Sequence, residues 1–268
     1  MQNAILCFCN GGAAPCGFYM KLSALRDAIL FYIGVPRCVG CGEFLAREDR
    51  VFCPACRMVY DNAKMRNCSR CAKVLSQCTC PNDFLDSHYI HTLVKVTRYI
   101  HNPDLPQNRI IYSLKQQNRR DVADFMAEEV ASAIRACIPA PQEYLVTFIP
   151  RRRASVIKYG FDHAKKLARK VAVLLGAQFA TTLRSTAKRA QKSVSGRQER
   201  VANAAMERTD SAHLGEKPIL LIDDIVTTGA SMANAATLLR ADGAKKIVGA
   251  VFAIAYLDPY VPFERSAF

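Results

Sequence analysis

Long hydrophobic runs are missing from this 268-residue chain. None approaches the ~18–20 apolar residues that a membrane-spanning helix needs. The most apolar piece near the N-terminus, Ala28 to Val35, is short and has Arg26 and Asp27 beside it. Also lacking is a basic residue ahead of the apolar part of residues 1–20, so a secretory leader is not expected. These absences predict a cytoplasmic protein with no membrane insertion. Acidic residues are scarce beside basic ones, 23 against 37, which leaves a formal net charge of +14. Such a balance favours polyanionic partners, phosphorylated ligands or nucleic acid, although a generic solubility charge gives the same number. With 50% hydrophobic and 22% charged residues the chain is not disordered. Its length allows one or two domains with a full core.

Twelve cysteines in a chain without a secretion signal argue for metal or thiol chemistry over a disulfide framework. Eight fall between Cys38 and Cys80, as Cys38-x-x-Cys41, Cys53-x-x-Cys56, Cys68-x-x-Cys71 and Cys78-x-Cys80. A C-x-x-C turn points two thiolates at one metal, and two turns complete the closed Cys₄ site of structural zinc. Sequential pairing is expected, with Cys38, Cys41, Cys53 and Cys56 in the first site. Cys68, Cys71, Cys78 and Cys80 form a possible second site, and crossed pairing stays open. The paired turns lack the tighter ferredoxin spacings, which sets zinc ahead of an iron–sulfur cluster. Metal would supply about 10–16 kcal/mol toward folding so small a module. One to two zinc ions per chain are expected.

The stretch Ile219 to Ser231 carries the other chemistry. Four apolar residues, Ile219-Leu220-Leu221-Ile222, read as a buried parallel strand. Asp223 and Asp224 follow where that strand should end, at the edge where open α/β sheets bind ligands. Thr227-Thr228-Gly229-Ala230-Ser231 then leads into a helix, Met232 to Arg240, with Gly243 as its C-terminal cap. The free N–H groups and positive end of a helix, with glycine and hydroxyls, suit a phosphate. Carboxylates cannot hold a phosphate but can accept sugar hydroxyls or bind Mg²⁺. A ribose between a 5′-phosphate and a metal-bound pyrophosphate fits both ends. A solvated strand end before an ordinary helix is the bland alternative.

Elsewhere, Leu22, Leu25, Ile29 and Ile33 lie at helical spacing, and residues 1–19 show no pattern. A strand is expected over Tyr89 to Ile100, then a short helix to Lys115 and a longer one from Asp121 to about Cys137. Tyr144 to Ile149 reads as the next strand, closed by Pro150-Arg151-Arg152-Arg153. Gly160-Phe161-Asp162-His163 opens a helix to about Leu175. Arg184 to Met206 reads as a long basic loop passing into a helix, and Lys246 to Ala255 as a last buried strand.

The pattern of four apolar, two acidic and two apolar residues, a variable one, then Thr228-Gly229-Ala230-Ser231 resembles the signature of type I phosphoribosyltransferases, which bind 5-phosphoribosyl-1-pyrophosphate (PRPP). The resemblance implies a type I phosphoribosyltransferase-like α/β fold, a parallel sheet flanked by helices. It puts Asp223 and Asp224 on the ribose hydroxyls as catalytic residues, and Thr227, Thr228, Gly229, Ala230 and Ser231 around the 5′-phosphate. Pro150, Arg151 and Arg152 would bind pyrophosphate, since a guanidinium fork matches phosphate oxygens. Arg197 and Arg200 would act from a mobile loop that closes over the reaction, and Mg²⁺ would come with PRPP.

With its cysteine module, the arrangement from about residue 38 to 256 is similar to the ComF family, linked to competence for DNA uptake. Tyr99, Leu114-Lys115, Pro150, Gly160-Phe161, Gln191, Ser195 and Arg200-x-x-Asn203 carry that likeness besides the signature. Where the family reads Arg-Gly-Phe-Asn-Gln, this chain has Tyr159-Gly160-Phe161-Asp162-His163. A helix-start cap is the expected role of Asp162, with His163 as a base the alternative. Position 227 is threonine, where some purine-salvage enzymes place an aspartate. The implied layout is an extension and short helix over 1–36, a zinc-binding module over 37–82 and a phosphoribosyltransferase-like domain over 86–260. The implied function is phosphoribosyl transfer to an unknown acceptor. The alternative is a non-catalytic PRPP or nucleotide sensor, or a module that binds single-stranded DNA or DNA-uptake proteins.

Overall fold

The structure, a computed structural model, describes residues 29, 35–46, 48–100, 102–186, 206–209 and 216–255. In chain order the strands are β1 (Leu93–Arg98), β2 (Leu145–Phe148), β3 (Gln178–Phe179), β4 (Leu183–Ser185), β5 (Met206–Arg208), β6 (Ile219–Val226) and β7 (Ile247–Ile254). The α-helices are α1 (Pro54–Lys64), α2 (Asp83–Asp86), α3 (Pro106–Gln117), α4 (Arg120–Cys137), α5 (Arg153–Tyr159), α6 (His163–Leu175) and α7 (Ala230–Ala241). Five strands make one sheet in the order β1-β7-β6-β2-β3, every pair parallel. Helices cover both of its faces, as the phosphoribosyltransferase resemblance implied.

The runs of apolar residues explain the layering. Strands buried on both faces need apolar side chains at successive positions. β7 is buried at all eight of its positions. Along β6, Leu220 and Ile222 join the core under α4 and α6, while Ile219 and Leu221 join the core under α7. Chain order reverses between β2 and β6. From β2 the chain crosses through α6 to the edge strand β3, then returns to β6 on the other side of β2. Such a switch point opens a crevice at the carboxyl ends of the two strands.

Register sharpens that crevice. β6 pairs with β2 only as far as Phe148↔Ile222, but with β7 on to Val226↔Ile254. The strand therefore runs four residues past its partner, supported on one side by the long, fully buried β7. Asp223 and Asp224 lie within β6 and not beyond its end, a difference from the sequence reading. Similarly, α5 follows directly on Arg152, where a loop was expected, and stops at Gly160, which has φ 75°. The first sheet strand is shorter than expected, because Tyr89 takes a left-handed φ of 68° and breaks the extended run.

β4 and β5 form a separate antiparallel pair, so Arg184 and Met206 are strand residues at the stem of the expected basic loop. Arg197 and Arg200 lie outside the described residues, as do residues 1–28. Among the described residues, no helix is long and apolar enough to cross a membrane.

The cysteine-rich stretch packs on the edge of the sheet. Its N-terminal part contributes Cys38, Val39, Phe52 and Tyr60 to the core beneath α4, and its C-terminal part gives Cys68, Leu75 and Cys78 to the core beneath α7. Tyr60 stacks between Phe52 and Phe252 and meets Phe125 edge-on. The Arg50 guanidinium forks onto Glu128, and Lys64 pairs with Glu129, both on α4. Thr79 O accepts from Leu93 N at 2.9 Å, which satisfies part of the exposed rim of edge strand β1.

Candidate functional site

Around the switch point the side chains divide by strand alternation. Asp224 shares the parity of Leu220 and Ile222 and faces the α6 side, whereas Asp223 shares that of Ile219 and Leu221 and faces α7. The expected acid pair is thus split across the sheet. Asp224 is 1% exposed. Its Oδ2 lies 2.9 Å from Lys115 Nζ, 3.2 Å from Arg151 Nη2 and 3.4 Å from His163 Nε2. Its Oδ1 accepts from Ile225 N at 3.0 Å. Burial opposes ionisation, but Lys115, His163 and Arg151 together hold the Asp224 carboxyl well below the usual carboxylate range. Asp223 keeps part of its surface exposed and accepts from Asp224 N at 2.8 Å. Burial, then the Asp224 charge, pushes its carboxyl well above the ordinary value.

His163 begins α6 and is 1% exposed. Its 3.4 Å approach to Asp224 is long for a well-formed hydrogen bond. Neither ring nitrogen makes a hydrogen bond among the described residues, so the contact is electrostatic. Burial lowers the His163 pKa below its ordinary value, against the pull of Asp224. Asp162 caps α6, as expected: Oδ1 accepts from Lys165 N at 3.2 Å and Oδ2 from Arg151 N at 3.1 Å. The second bond fixes the backbone at Arg151 and so aims its guanidinium at Asp224. Pro150 and Arg152 lie half-buried beside it, Arg152 as the N-cap of α5.

The loop Thr227 to Ser231 sits past the end of β6. Gly229 is the N-cap of α7 with φ 87°, a left-handed conformation that favours glycine. Ala233 N closes the first α-turn onto Gly229 O at 2.8 Å. Earlier amides of the helix have no intrahelical acceptor, and Ala230 N meets Thr228 Oγ1 at 3.4 Å; free helix-start amides are the feature that attracts an anion. Thr227 is exposed, while Thr228 and Ser231 are half-buried. Gly229 and Ala230 are buried, and a Cβ on Gly229 would come within 2.9 Å of Leu85 Cγ. Leu85, on α2, thus braces the loop from below. Leu85 carried no signal in the sequence, and Lys115 entered only through the family likeness with no role attached, because each comes from a segment remote from the signature.

The eight module thiols gather as two sets, Cys38, Cys41, Cys53, Cys56 and Cys68, Cys71, Cys78, Cys80, each with its sulfurs within 4.8 Å of one another. Sequential pairing is what the structure has. A tetrahedral Zn–S₄ centre with bonds of ~2.3 Å requires sulfurs about 3.8 Å apart, and Cys41 Sγ lies 3.7 Å from Cys53 Sγ. The residues fit a metal such as zinc. Burial works against ionising Cys38, yet amides of Cys53, Cys41 and Gly40 bring its thiol down to about 7. Burial first, and the neighbouring thiols next, push Cys56 far up. Four thiolates so close need a cation between them.

Residues 155–261 match the family model described as the phosphoribosyl transferase domain. That span begins in α5 and takes in the acid pair, the hydroxyl loop and β7. No curated protein matches the chain. Among solved structures the chain is similar to adenine phosphoribosyltransferase from Saccharomyces cerevisiae, at 16% identity and a TM-score of 0.36, covering 53% of this chain and 72% of that one. It is also similar to adenine phosphoribosyl transferase from Trypanosoma brucei, at 15% identity and a TM-score of 0.35, covering 57% and 75%. A third is an allosteric regulatory enzyme of purine biosynthesis, at 14% identity and a TM-score of 0.36; this chain covers 30% of its length with 53% of its own. These overlaps are local, and the fold class rests on the parallel strand order together with the domain match. The chain has a type I phosphoribosyltransferase-like fold, a parallel sheet flanked by helices and preceded by two four-cysteine clusters, with residues 155–261 matching the phosphoribosyl transferase domain.

Proposed function

We propose that the protein binds PRPP with Mg²⁺ and transfers the phosphoribosyl group to an acceptor nucleophile. The observation that carries this reading is an acid pair and a hydroxyl-rich helix N-terminus at the sheet's switch point, inside the matched domain. The 5′-phosphate sits on the amides and hydroxyls of Thr227 to Ser231, and the ribose hydroxyls donate to Asp223 and Asp224. Pyrophosphate lies near Pro150, Arg151 and Arg152. In transfer, the bond from C1 to the pyrophosphate oxygen breaks and pyrophosphate leaves with the electron pair. An acceptor lone pair forms the new bond to C1, and the acceptor's proton passes to solvent. The protein contributes positioning and electrostatic stabilisation of the leaving group. Two cations already face Asp224, so Mg²⁺ would come with the diphosphate and would supply charge neutralisation there. Zinc fills both thiol clusters as a structural ion, and the protein works in the cytoplasm.

Isothermal titration tests the assignment. PRPP with Mg²⁺ should bind the wild type, and Asp223→Asn with Asp224→Asn should lose at least tenfold in affinity while circular dichroism stays unchanged. Equal affinities in a folded double variant refute the site. Release of pyrophosphate against a panel of nucleobases then reads the transfer itself.

A second reading, a PRPP or nucleotide sensor that grips single-stranded DNA, draws on the basic surface of α5 and α6. Arg153 and Lys158 are exposed there beside Tyr159, and Lys165 and Arg152 are half-buried. DNA-uptake proteins are its other partners, through the ComF likeness. Retention of labelled single strands that falls steeply with salt supports it, and a flat response removes it.

A further inference from the structure

The polar cluster around Asp224 holds more positive charge than it uses. One carboxylate faces the ammonium of Lys115 and the guanidinium of Arg151, and the neighbouring imidazole is uncharged when its pKa is lowered. Both cations converge on one oxygen, Oδ2, with His163 Nε2 3.4 Å from it. Exposure says which groups reach the crevice. The side chains of Asp224 and His163 are 2% and 1% exposed, whereas Lys115 and Arg151 are 25% and 29% exposed. The acid and the imidazole therefore form the floor, and the two cations line the mouth. Arg151 is pinned by its backbone N–H, which donates to Asp162 Oδ2. Lys115 ends a flexible four-carbon stem near the last turn of α3, and among the described residues its ion-pair partner is Asp224 alone.

We propose that Lys115 is a substrate-binding residue that moves from Asp224 onto the pyrophosphate moiety of the bound phosphosugar. This rests on the reading of the site as a PRPP site. In the free protein the ammonium neutralises Asp224. When the ligand arrives, ribose hydroxyls take over as donors to Asp224, and Lys115 is released to the incoming diphosphate. After the exchange Asp224 faces Arg151 and the ribose hydroxyls, and the ammonium faces the diphosphate. The exchange also makes sugar and pyrophosphate binding cooperative, because a hydroxyl on Asp224 frees the ammonium for the anion.

The test uses the full chain in its metal-loaded form. Pyrophosphate with Mg²⁺ and ribose 5-phosphate are titrated separately into wild type, Lys115→Gln and Lys115→Arg. Lys115→Gln should weaken pyrophosphate about tenfold or more and leave ribose 5-phosphate within about twofold, and Lys115→Arg should restore most of the loss. Unchanged pyrophosphate affinity in Lys115→Gln overturns the proposal. So does parallel loss of both ligands, which marks Lys115 as a structural counter-ion of Asp224. Wild type that binds neither ligand defeats the PRPP reading itself, and the proposal with it. Should Lys115→Gln fail to fold, the Lys115 Nζ resonance in ¹⁵N-lysine protein, assigned with Lys115→Arg, decides. It should shift when pyrophosphate binds; a resonance unmoved by pyrophosphate overturns the proposal.

Discussion

Gly229 answers two demands at once. Its φ of 87° suits a residue without a Cβ, and any Cβ would meet Leu85 Cγ at 2.9 Å and Cδ2 at 3.0 Å. Gly229→Ala should therefore displace the loop and lower affinity for inorganic phosphate and PRPP by more than tenfold. Adding Leu85→Ala should recover only part, since the left-handed φ still disfavours alanine. Full affinity in Gly229→Ala, measured by titration, contradicts this account of the loop. His163 gives a pH signature. Its folded pKa is lowered, so the unfolded chain binds more protons and stability rises with pH. The part due to this histidine is fully present above about pH 6.5 and is lost as pH falls below that value. Denaturation midpoints from pH 5 to 8 should show that slope in wild type and a flatter one in His163→Gln; identical slopes rule it out. At this scale the sequence was legible where the pattern is contiguous, in the strand, turn and helix start of Asp223 to Ser231 and in the cap Asp162. It was silent on the company Asp224 keeps, because Lys115 arrives from α3 and His163 from α6, and packing brought them together.

Among elements, β6 shows what an isolated stretch leaves out. Its apolar start was plain from the sequence, but its extension through the two acids depends on a partner strand fully buried over eight residues. The cysteine turns hold a repeat that spacing alone did not show. Cys38 N donates to Glu43 O and Gly42 N to Cys38 O, while Cys68 N donates to Lys73 O and Ala72 N to Cys68 O. Gly42 has φ 81°, and its counterpart Ala72 has φ 56°. A left-handed alanine costs roughly 1–2 kcal/mol, partly offset by the extra unfolded-chain freedom of a glycine, about 0.4–1 kcal/mol. Ala72→Gly should thus raise the thermal midpoint by about 1–3 °C. A fall in the midpoint would mean that the second turn is held differently. Elemental analysis should give two zinc per chain; one would leave one cluster as thiols alone.

For the whole molecule, the placement of the clusters matters most. The first belongs to the core beneath α4 and the second to the core beneath α7, so metal loss should be felt on both faces of the sheet. The second cluster also reaches the loop from Thr227 to Ser231. Arg70, between Cys68 and Cys71, pairs with Asp83 on α2, and Asn82 caps that helix at 2.8 Å from Leu85 N. Leu85 then rests on Gly229. Chelation should lower the thermal midpoint in a single transition and weaken phosphate binding before the sheet unfolds. Unaltered phosphate affinity in the metal-free, still folded protein would sever that link. The layered α/β class was legible from strand and helix patterns, but the docking of the module was not, because it depends on Phe52 and Tyr60 meeting Phe125, which is far from both in sequence.

The most direct measurement is a crystal structure of the protein with PRPP and Mg²⁺. The account predicts the 5′-phosphate within hydrogen-bonding distance of the amides at Ala230 and Ser231, ribose hydroxyls on Asp223 and Asp224, and the diphosphate beside Arg151. A phosphate bound away from α7, or a ribose that leaves both carboxylates untouched, would contradict it.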